Sequence, residues 1–134
     1  MRLLLPLCAL FLLSSSDAPA QHSESVHFSE VDLRTEPSDG FDKLEARTRY
    51  PELARRAGIG GTVRAEFFVD EGGYAADAVC ASDPGGQTCE EALTAVRETY
   101  FRLAEVKGKP VASRECYKFH FDHAAEAVSI APCP

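Results

Sequence analysis

The stretch VRAEFFVDEGGYAADAVCA, residues 63–81, decides the fold that the rest of the chain completes. Apolar residues occupy the odd positions from Val63 to Val69 and mostly polar residues the even ones, which is the period of a strand with one buried face. The run Asp70-Glu71-Gly72-Gly73 then supplies residues that readily adopt the positive φ angles of a hairpin turn. Residues 74–81 are therefore predicted to form the returning strand.

Two short helices are predicted ahead of this hairpin. Residues 40–49 can form the first. Pro51 suits the first turn of the second, because its missing N–H would be unpaired there, and Gly58 is a typical residue at a helix carboxyl end. Before them, residues 21–39 are polar and rich in Ser and Glu, which predicts a leader.

A longer helix and a third strand are predicted after the hairpin. Thr88 is a suitable N-cap and Glu91, three residues later, completes a capping box, so we expect a helix that runs to about Phe101. A turn at Lys107–Pro110 precedes the third strand, Val111–Asp122, in which aromatic residues alternate with polar ones.

These elements predict an α+β fold with two layers, in which two helices cover a three-stranded antiparallel sheet. A right-handed crossover through the long helix makes the third strand parallel to the second. Antiparallel pairing then places the first strand in the middle, in the order 2-1-3. The third strand is thereby expected to lie at an edge of the sheet.

The first 20 residues have the features of a secretory signal. Arg2 supplies the positive charge, and the apolar run Leu3–Leu13 is about half as long as the roughly 20 residues needed to cross a bilayer. Ala18-Pro19-Ala20 is a small-x-small cleavage site. We predict a signal peptide of residues 1–20 and an exported protein that begins at Gln21; the alternative is an uncleaved membrane anchor.

Four cysteines follow the predicted cleavage site, and an even number in an exported chain indicates two disulfides with three conceivable pairings. None has the C-x-x-C spacing of a redox motif or a common zinc-site spacing. In the 2-1-3 order, Cys80 and Cys116 lie on opposite edge strands, farther apart than the ~7 Å that a disulfide allows. The predicted pairs are Cys80–Cys89 and Cys116–Cys133, and the second would tether a tail of residues 123–134.

Charge and motifs narrow the class of function. The net charge of −7 disfavours nucleic-acid binding, which requires a basic surface. No nucleophile elbow, phosphate loop or H-E-x-x-H motif is present, so we predict neither an enzyme nor a cofactor. His120, Asp122 and His123 are the one cluster with metal-ligand or catalytic character. The alternative function is therefore a small exported metal-binding protein or enzyme, although polar residues on an exposed strand face would look the same, and no metal site is predicted.

A further set of residues resembles the TonB carboxy-terminal domain family over about residues 37–122. The family begins with Tyr-Pro, a short helix, Gly-x-x-Gly and a strand that ends in Val-Asp before a Gly turn. The residues that carry the resemblance are Tyr50-Pro51, Ala54-Arg55, Gly58-Ile59-Gly60-Gly61, Val63, Phe67, Val69-Asp70, Gly73, Glu91-Ala92-Leu93, Ala95-Val96, Phe101, Gly108-Lys109-Pro110-Val111, Phe119 and Phe121.

This resemblance implies a periplasmic protein-interaction module, in residues 40–122, that binds extended peptide such as the box of an outer-membrane transporter. It differs from the TonB energy transducers in lacking a membrane anchor and a Pro-rich spacer, so after signal cleavage no membrane span and no nucleic-acid partner are expected. The partner is expected to add a strand to the third strand's edge. The residues predicted to bind it are Arg114, Glu115, Tyr117, Lys118, Phe119 and His120.

Two expectations about this edge can be tested structurally. Proline at Lys118 should weaken partner binding if its N–H points outward, and proline at His120 is the neighbouring test if the register is shifted by two. The second expectation is that the tail, residues 123–134, covers the edge if Cys133 is bonded to Cys116.

Overall fold

The computed structural model describes residues 33–134, so the predicted signal peptide and most of the predicted leader lie outside the described residues. This part of the chain contains three helices and eight strands, two of which have only two residues each. The elements are β1 (Glu36–Pro37), α1 (Phe41–Arg47), α2 (Glu52–Ala57), β2 (Gly61–Val69), β3 (Ala75–Ser82), α3 (Thr88–Arg97), β4 (Phe101–Arg102), β5 (Ala104–Val106), β6 (Lys109–Val111), β7 (Ser113–Asp122) and β8 (Ala127–Pro132).

The principal sheet has four strands in the order β3-β2-β7-β8, and every neighbouring pair is antiparallel. β2 lies between β3 and β7, which is the order predicted for these three strands. The prediction of a three-stranded sheet with the third strand at its edge is wrong, because β8 pairs with the outer side of β7. The tail was not predicted to be a strand, since most of its residues are Ala, Ser and Pro, which carry little strand signal.

The β2–β3 hairpin forms where the sequence predicts it. The carboxylate of Asp70 accepts backbone N–H groups from Gly72 at 2.9 Å and from Tyr74 at 3.0 Å, which closes the turn. Gly73 has a φ of 83°, and a Cβ there would lie 2.7 Å from the carbonyl oxygen of Phe101. Glycine is therefore required at this position for both its backbone conformation and its close packing.

Helix α3 begins and ends differently from the prediction. Its N-cap is Gln87, in the left-handed conformation, and the Thr88 hydroxyl donates a hydrogen bond to the carbonyl of Gly85 at 2.7 Å. Glu91 does not complete a capping box, because its carboxylate accepts the backbone N–H of Arg49 at 2.9 Å. The helix stops at Arg97, before the predicted Phe101, which is fully buried in β4.

The helices lie on one face of the sheet and bury it, α3 over β2 and β3, and α1 against β8. All three helices predicted from the sequence are present, and α1 and α3 are the two that pack mainly on the principal sheet. An aromatic group fills the centre of the core, with ring centroids 5.1–6.2 Å apart. Its members are Phe41, Phe67, Phe101 and Tyr117.

The disulfide prediction is confirmed in both pairs. Cys80, in β3, is bonded to Cys89, in α3, with their Cα atoms 6.1 Å apart. Cys116, in β7, is bonded to Cys133, directly after β8, with their Cα atoms 5.3 Å apart. Across residues 33–134, no helix has the length and apolar character needed to cross a membrane.

Candidate functional site

The six residues predicted to bind a partner strand all lie in β7, on two different faces of the sheet. Tyr117 and Phe119 are buried in the core, so they do not contact solvent beside the edge. Arg114 and His120 are exposed on the opposite face, and Lys118 is half-buried there. Of the predicted set, only the backbone and the outward-facing polar side chains therefore lie where a partner strand could contact them.

The outer side of β7 is paired with β8 over six residues, from Tyr117–Pro132 to Asp122–Ala127. The Cys133 N–H donates to the Cys116 carbonyl at 2.8 Å, so the pairs two and four residues further along, with Lys118 and His120 on β7, are also hydrogen-bonded. The N–H groups of Lys118 and His120 thus point away from β2, as the expectation about proline requires. They point at β8 and not at solvent, because the tail covers this edge.

Three groups hold β8 in place besides its backbone pairing. Ile130 is only 7% exposed and packs into the core, with Val128 partly buried beside it. The Ile130 N–H, on the side away from β7, donates to the carboxylate of Glu45 in α1 at 2.8 Å. Cys133 then fastens the end of the strand to Cys116.

The outer side of β8 offers few backbone groups to a further strand. The residues whose backbone faces outward are Val128, Ile130 and Pro132, because they alternate with the residues that pair with β7 by hydrogen bonds. Pro132 has no N–H, and the N–H of Ile130 is bound to Glu45. Proline and charged groups of this kind discourage pairing at an exposed edge.

The opposite edge of the sheet, at β3, is irregular. The register of β3 on β2 shifts between Glu66 and Phe68, where Asp77 has a φ of 52°. Such a bulge bends the strand and interrupts the line of backbone groups that another strand would need. At its start, Tyr74 is bridged to Tyr100, so this end is covered by the chain itself.

One end of β7 remains beyond the reach of β8, at Ser113–Glu115. The Ser113 hydroxyl lies 2.6 Å from that of Thr35 and donates to the Glu115 carboxylate at 2.7 Å. Burial raises the pKa of Glu115, and the hydrogen bonds from Ser113 and Thr35 and the nearby charge of Arg34 oppose that rise. Arg114, between them, is exposed on the outer face at the end of β7 that, within residues 33–134, β8 leaves uncovered.

The outer face of the sheet carries a mixed surface. Phe68 and Val79 are apolar side chains exposed there, at 36% and 54%. Arg64 and Glu66, on the same face of β2, form an ion pair at 3.3 Å. A shallow depression beside them is lined by Thr62, Lys118, His120, Ser129, Ile130 and Ala131.

The three residues of the alternative metal or catalytic cluster, His120, Asp122 and His123, each make contacts in a different part of the structure. The Nδ1 of His120 lies 3.1 Å from the hydroxyl of Thr62 on the outer face. The ring of His123 packs towards Tyr50, with centroids 6.4 Å apart. Asp122 accepts the backbone N–H of Ala125 in the turn before β8. Within residues 33–134, no three His, Cys, Asp or Glu side chains form a group that could hold a metal ion.

Comparison with models of protein families matches residues 46–123 to the family described as Gram-negative bacterial TonB protein C-terminal. The match covers more than half of the chain and includes α2, β2, β3, α3 and all of β7. It ends at His123, so β8 and Cys133 lie beyond it. Neither the curated proteins nor the solved structures contain a significant match to this chain.

Proposed function

The chain belongs to the family of Gram-negative bacterial TonB carboxy-terminal domains, and on this basis we propose that it is a periplasmic protein-interaction module. It binds an extended segment of an envelope protein, such as the box of an outer-membrane transporter, by strand addition to β7. The family consists of protein-interaction domains of envelope transport, and its fold is the mixed α+β arrangement described above.

The observation that carries this proposal is that the outer side of β7 accepts an antiparallel strand. β8 forms an unbroken register with β7 from Tyr117 to Asp122, although β8 itself is rich in small residues. Backbone hydrogen bonds give affinity in this mode of recognition, and side chains beside the edge give specificity. A partner segment of the same length would make the same backbone contacts.

Charged side chains next to this edge favour a partner that carries acidic groups on its outer face. Arg114 is exposed at the end of β7 beyond β8, and Lys118 and His120 lie on the same face four and six residues further along. Arg64, paired in register with Lys118, is already ion-paired with Glu66, so the positive charge beside the edge comes chiefly from β7 itself. Opposite charges on facing strands contribute roughly 0.2–1 kcal/mol each, so they select a register more than they supply affinity.

Photo-crosslinking tests the proposal at the uncovered end of the edge. Benzoylphenylalanine replaces Arg114 in one variant and Leu53, which is 51% exposed on α2, in a control variant. Each is irradiated with outer-membrane extract, both with the Cys116–Cys133 bond intact and with Cys116→Ser and Cys133→Ser. We expect Arg114 adducts that map by mass spectrometry to one extended segment of a transporter, and none of these from Leu53. Equal adducts from both positions, or none from either, would refute strand addition at β7.

A further inference from the structure

The sequence of β8 has a pattern that fits it to β7. Val128 and Ile130 direct their side chains towards the core, while Ala127, Ser129 and Ala131 lie on the exposed face. The exposed positions have small side chains, whereas the two core positions are β-branched. The strand thereby completes the core at a sheet edge without adding bulk outside.

β8 is anchored at both of its ends. The turn of residues 123–126 connects it directly to the end of β7, and Cys133 bonds to Cys116 at the other end. A short flexible connection alone gives a tethered strand an effective concentration in the millimolar range. With the second anchor closed, both ends of β8 stay next to β7, so a free segment in solution competes poorly for this edge.

We propose that β8 is a built-in stand-in for the partner strand, and that the form of the protein that binds the partner is the one in which the Cys116–Cys133 bond is open. This inference rests on the proposed function, since it identifies the regulation and the preferred ligand of the same edge. In the closed form the bond holds β8 on β7. In the open form β8 competes with the partner only through its short tether.

Opening requires a dithiol reductant. One thiolate of the reductant attacks a sulfur of the Cys116–Cys133 bond and forms a mixed disulfide, and its second thiol then displaces the remaining protein sulfur. The two protein sulfurs end as thiols after gaining two electrons and two protons, and the reductant becomes a disulfide. Cys80–Cys89 joins β3 to α3, so it has no part in this opening.

The contacts that β8 makes also indicate which peptide sequence the edge of β7 prefers. The ligand runs antiparallel to β7, with aliphatic β-branched residues at the two positions of Val128 and Ile130. The position of Ile130 needs an N–H for the Glu45 carboxylate, whereas the position of Pro132 tolerates proline. Proline is excluded where Ser129 and Ala131 lie, because their N–H groups face β7.

A peptide with the sequence of residues 126–134, bearing Cys133→Ser and a fluorescent label, is the probe. It is titrated by anisotropy into the unmodified protein and into an open variant with Cys116→Ser, Cys133→Ser and Ser129→Pro. Ser129→Pro removes an N–H that faces β7, and so weakens the tethered strand. We expect the open variant to bind the probe at least tenfold more tightly than the unmodified protein.

Two controls isolate the cause. Val128→Pro, in place of Ser129→Pro in the same background, removes an N–H that points away from β7, so β8 should stay and probe binding should remain weak. A probe with Ile130→Asp should lose at least tenfold in affinity, whereas a probe with Ser129→Lys should lose less than threefold. An open variant that is folded by circular dichroism and does not bind the probe overturns the inference, as does equal binding by the unmodified protein.

Amide exchange provides a test that does not depend on proline substitutions. In the variant with only Cys116→Ser and Cys133→Ser, we expect faster exchange at Lys118 and His120, whose N–H groups face β8, and unchanged exchange at Arg64 and Glu66. Unchanged exchange at all four overturns the inference. Probe binding does not involve an envelope protein, so if the probe binds as expected and Arg114 gives no transporter adduct, the proposed function fails while the stand-in role of β8 is retained.

Discussion

The two outer strands of the sheet, β3 and β8, are held by different kinds of contact. β3 follows β2 through a five-residue turn, lies under α3 and is bonded to it through Cys80–Cys89. β8 follows β7 through a four-residue turn, and its main contacts are with β7 and with the side of α1. One buried side chain, one carboxylate and one disulfide account for its attachment beyond the backbone ladder.

The two edges are also protected by different means. β3 is interrupted by the bulge at Asp77 and covered at its start by Tyr100. β8 is protected by Pro132 and by the Glu45 carboxylate on Ile130. The edge at β3 is protected mainly by its irregular backbone, whereas the edge at β8 depends on a few specific residues.

Removal of either disulfide is expected to have the largest effect. Cys80→Ser with Cys89→Ser opens a loop of 9 residues, and Cys116→Ser with Cys133→Ser one of 17. Loop entropy predicts losses of about 2.6 and about 3 kcal/mol in the free energy of urea unfolding. If removal of Cys116–Cys133 lowers the free energy of unfolding by less than half as much as removal of Cys80–Cys89, this prediction is contradicted. β8 would then add little to global stability.

The next largest difference in stability between the two strands is expected when one side chain on each of them is truncated. Ile130→Ala removes a buried side chain and should cost about 2 kcal/mol, at the lower end for a core site because β8 lies at the edge. Val79→Ala, on β3, removes a side chain that is 54% exposed and should cost less than about 0.5 kcal/mol. Urea unfolding of both variants checks this, and equal losses would show that β8 is not packed into the core.

Loss of the carboxylate on the β8 edge should have a smaller effect on stability. Glu45→Ala leaves the Ile130 N–H without its acceptor and should cost about 1 kcal/mol. It should also increase self-association in sedimentation experiments, because the edge gains a free donor. Glu45→Gln keeps a side-chain oxygen and is the matched control; if it associates as strongly as Glu45→Ala, the hydrogen bond is not what protects the edge.

The uncovered end of β7 should show the smallest effect, and one that depends on pH. Burial raises the pKa of Glu115 in the folded protein above its ordinary value of 4.5. As pH rises above 4.5, this carboxyl therefore ionises in the unfolded chain before it does so in the folded protein. The free energy of unfolding falls over this range until the pH exceeds the pKa of Glu115 in the folded protein. Glu115→Gln should therefore stabilise the protein at pH 7 and have little effect below pH 4.5. Glu71→Gln, in the exposed turn, is the control, and urea unfolding at both pH values measures the difference. A Glu115 effect that is the same at both pH values would contradict this account.

Much of the fold could be predicted because its signals are local. The alternation in β2 and the turn at Asp70–Gly73 predicted the hairpin, and the strand order then led to both disulfide pairs. The start of α3 was predicted wrongly because Gln87 occupies the cap, with Glu91 bound to a backbone group 42 residues away. That contact depends on packing between helices and has no local signature.

The candidate edge could be predicted only in part. Alternation identified β7 and the direction of Lys118 and His120, but the presence of a neighbour on that side was not evident from the residues of β7. The partner-binding role of the six residues stays a prediction. The pairing of β7 with β8, and the different surroundings of His120 and His123, could be seen only in the three-dimensional structure.

Local sequence was sufficient for the hairpin, the helices' approximate positions and the cysteine pairs, because alternation, turn residues and chain separation act over short distances. β8 was decided by tertiary contacts alone. Its Ala, Ser and Pro residues have little preference for a strand, and it forms one because β7 offers an unpaired edge. Ile130 packs into the core, and its N–H donates to the carboxylate of Glu45, which lies 85 residues earlier in the chain.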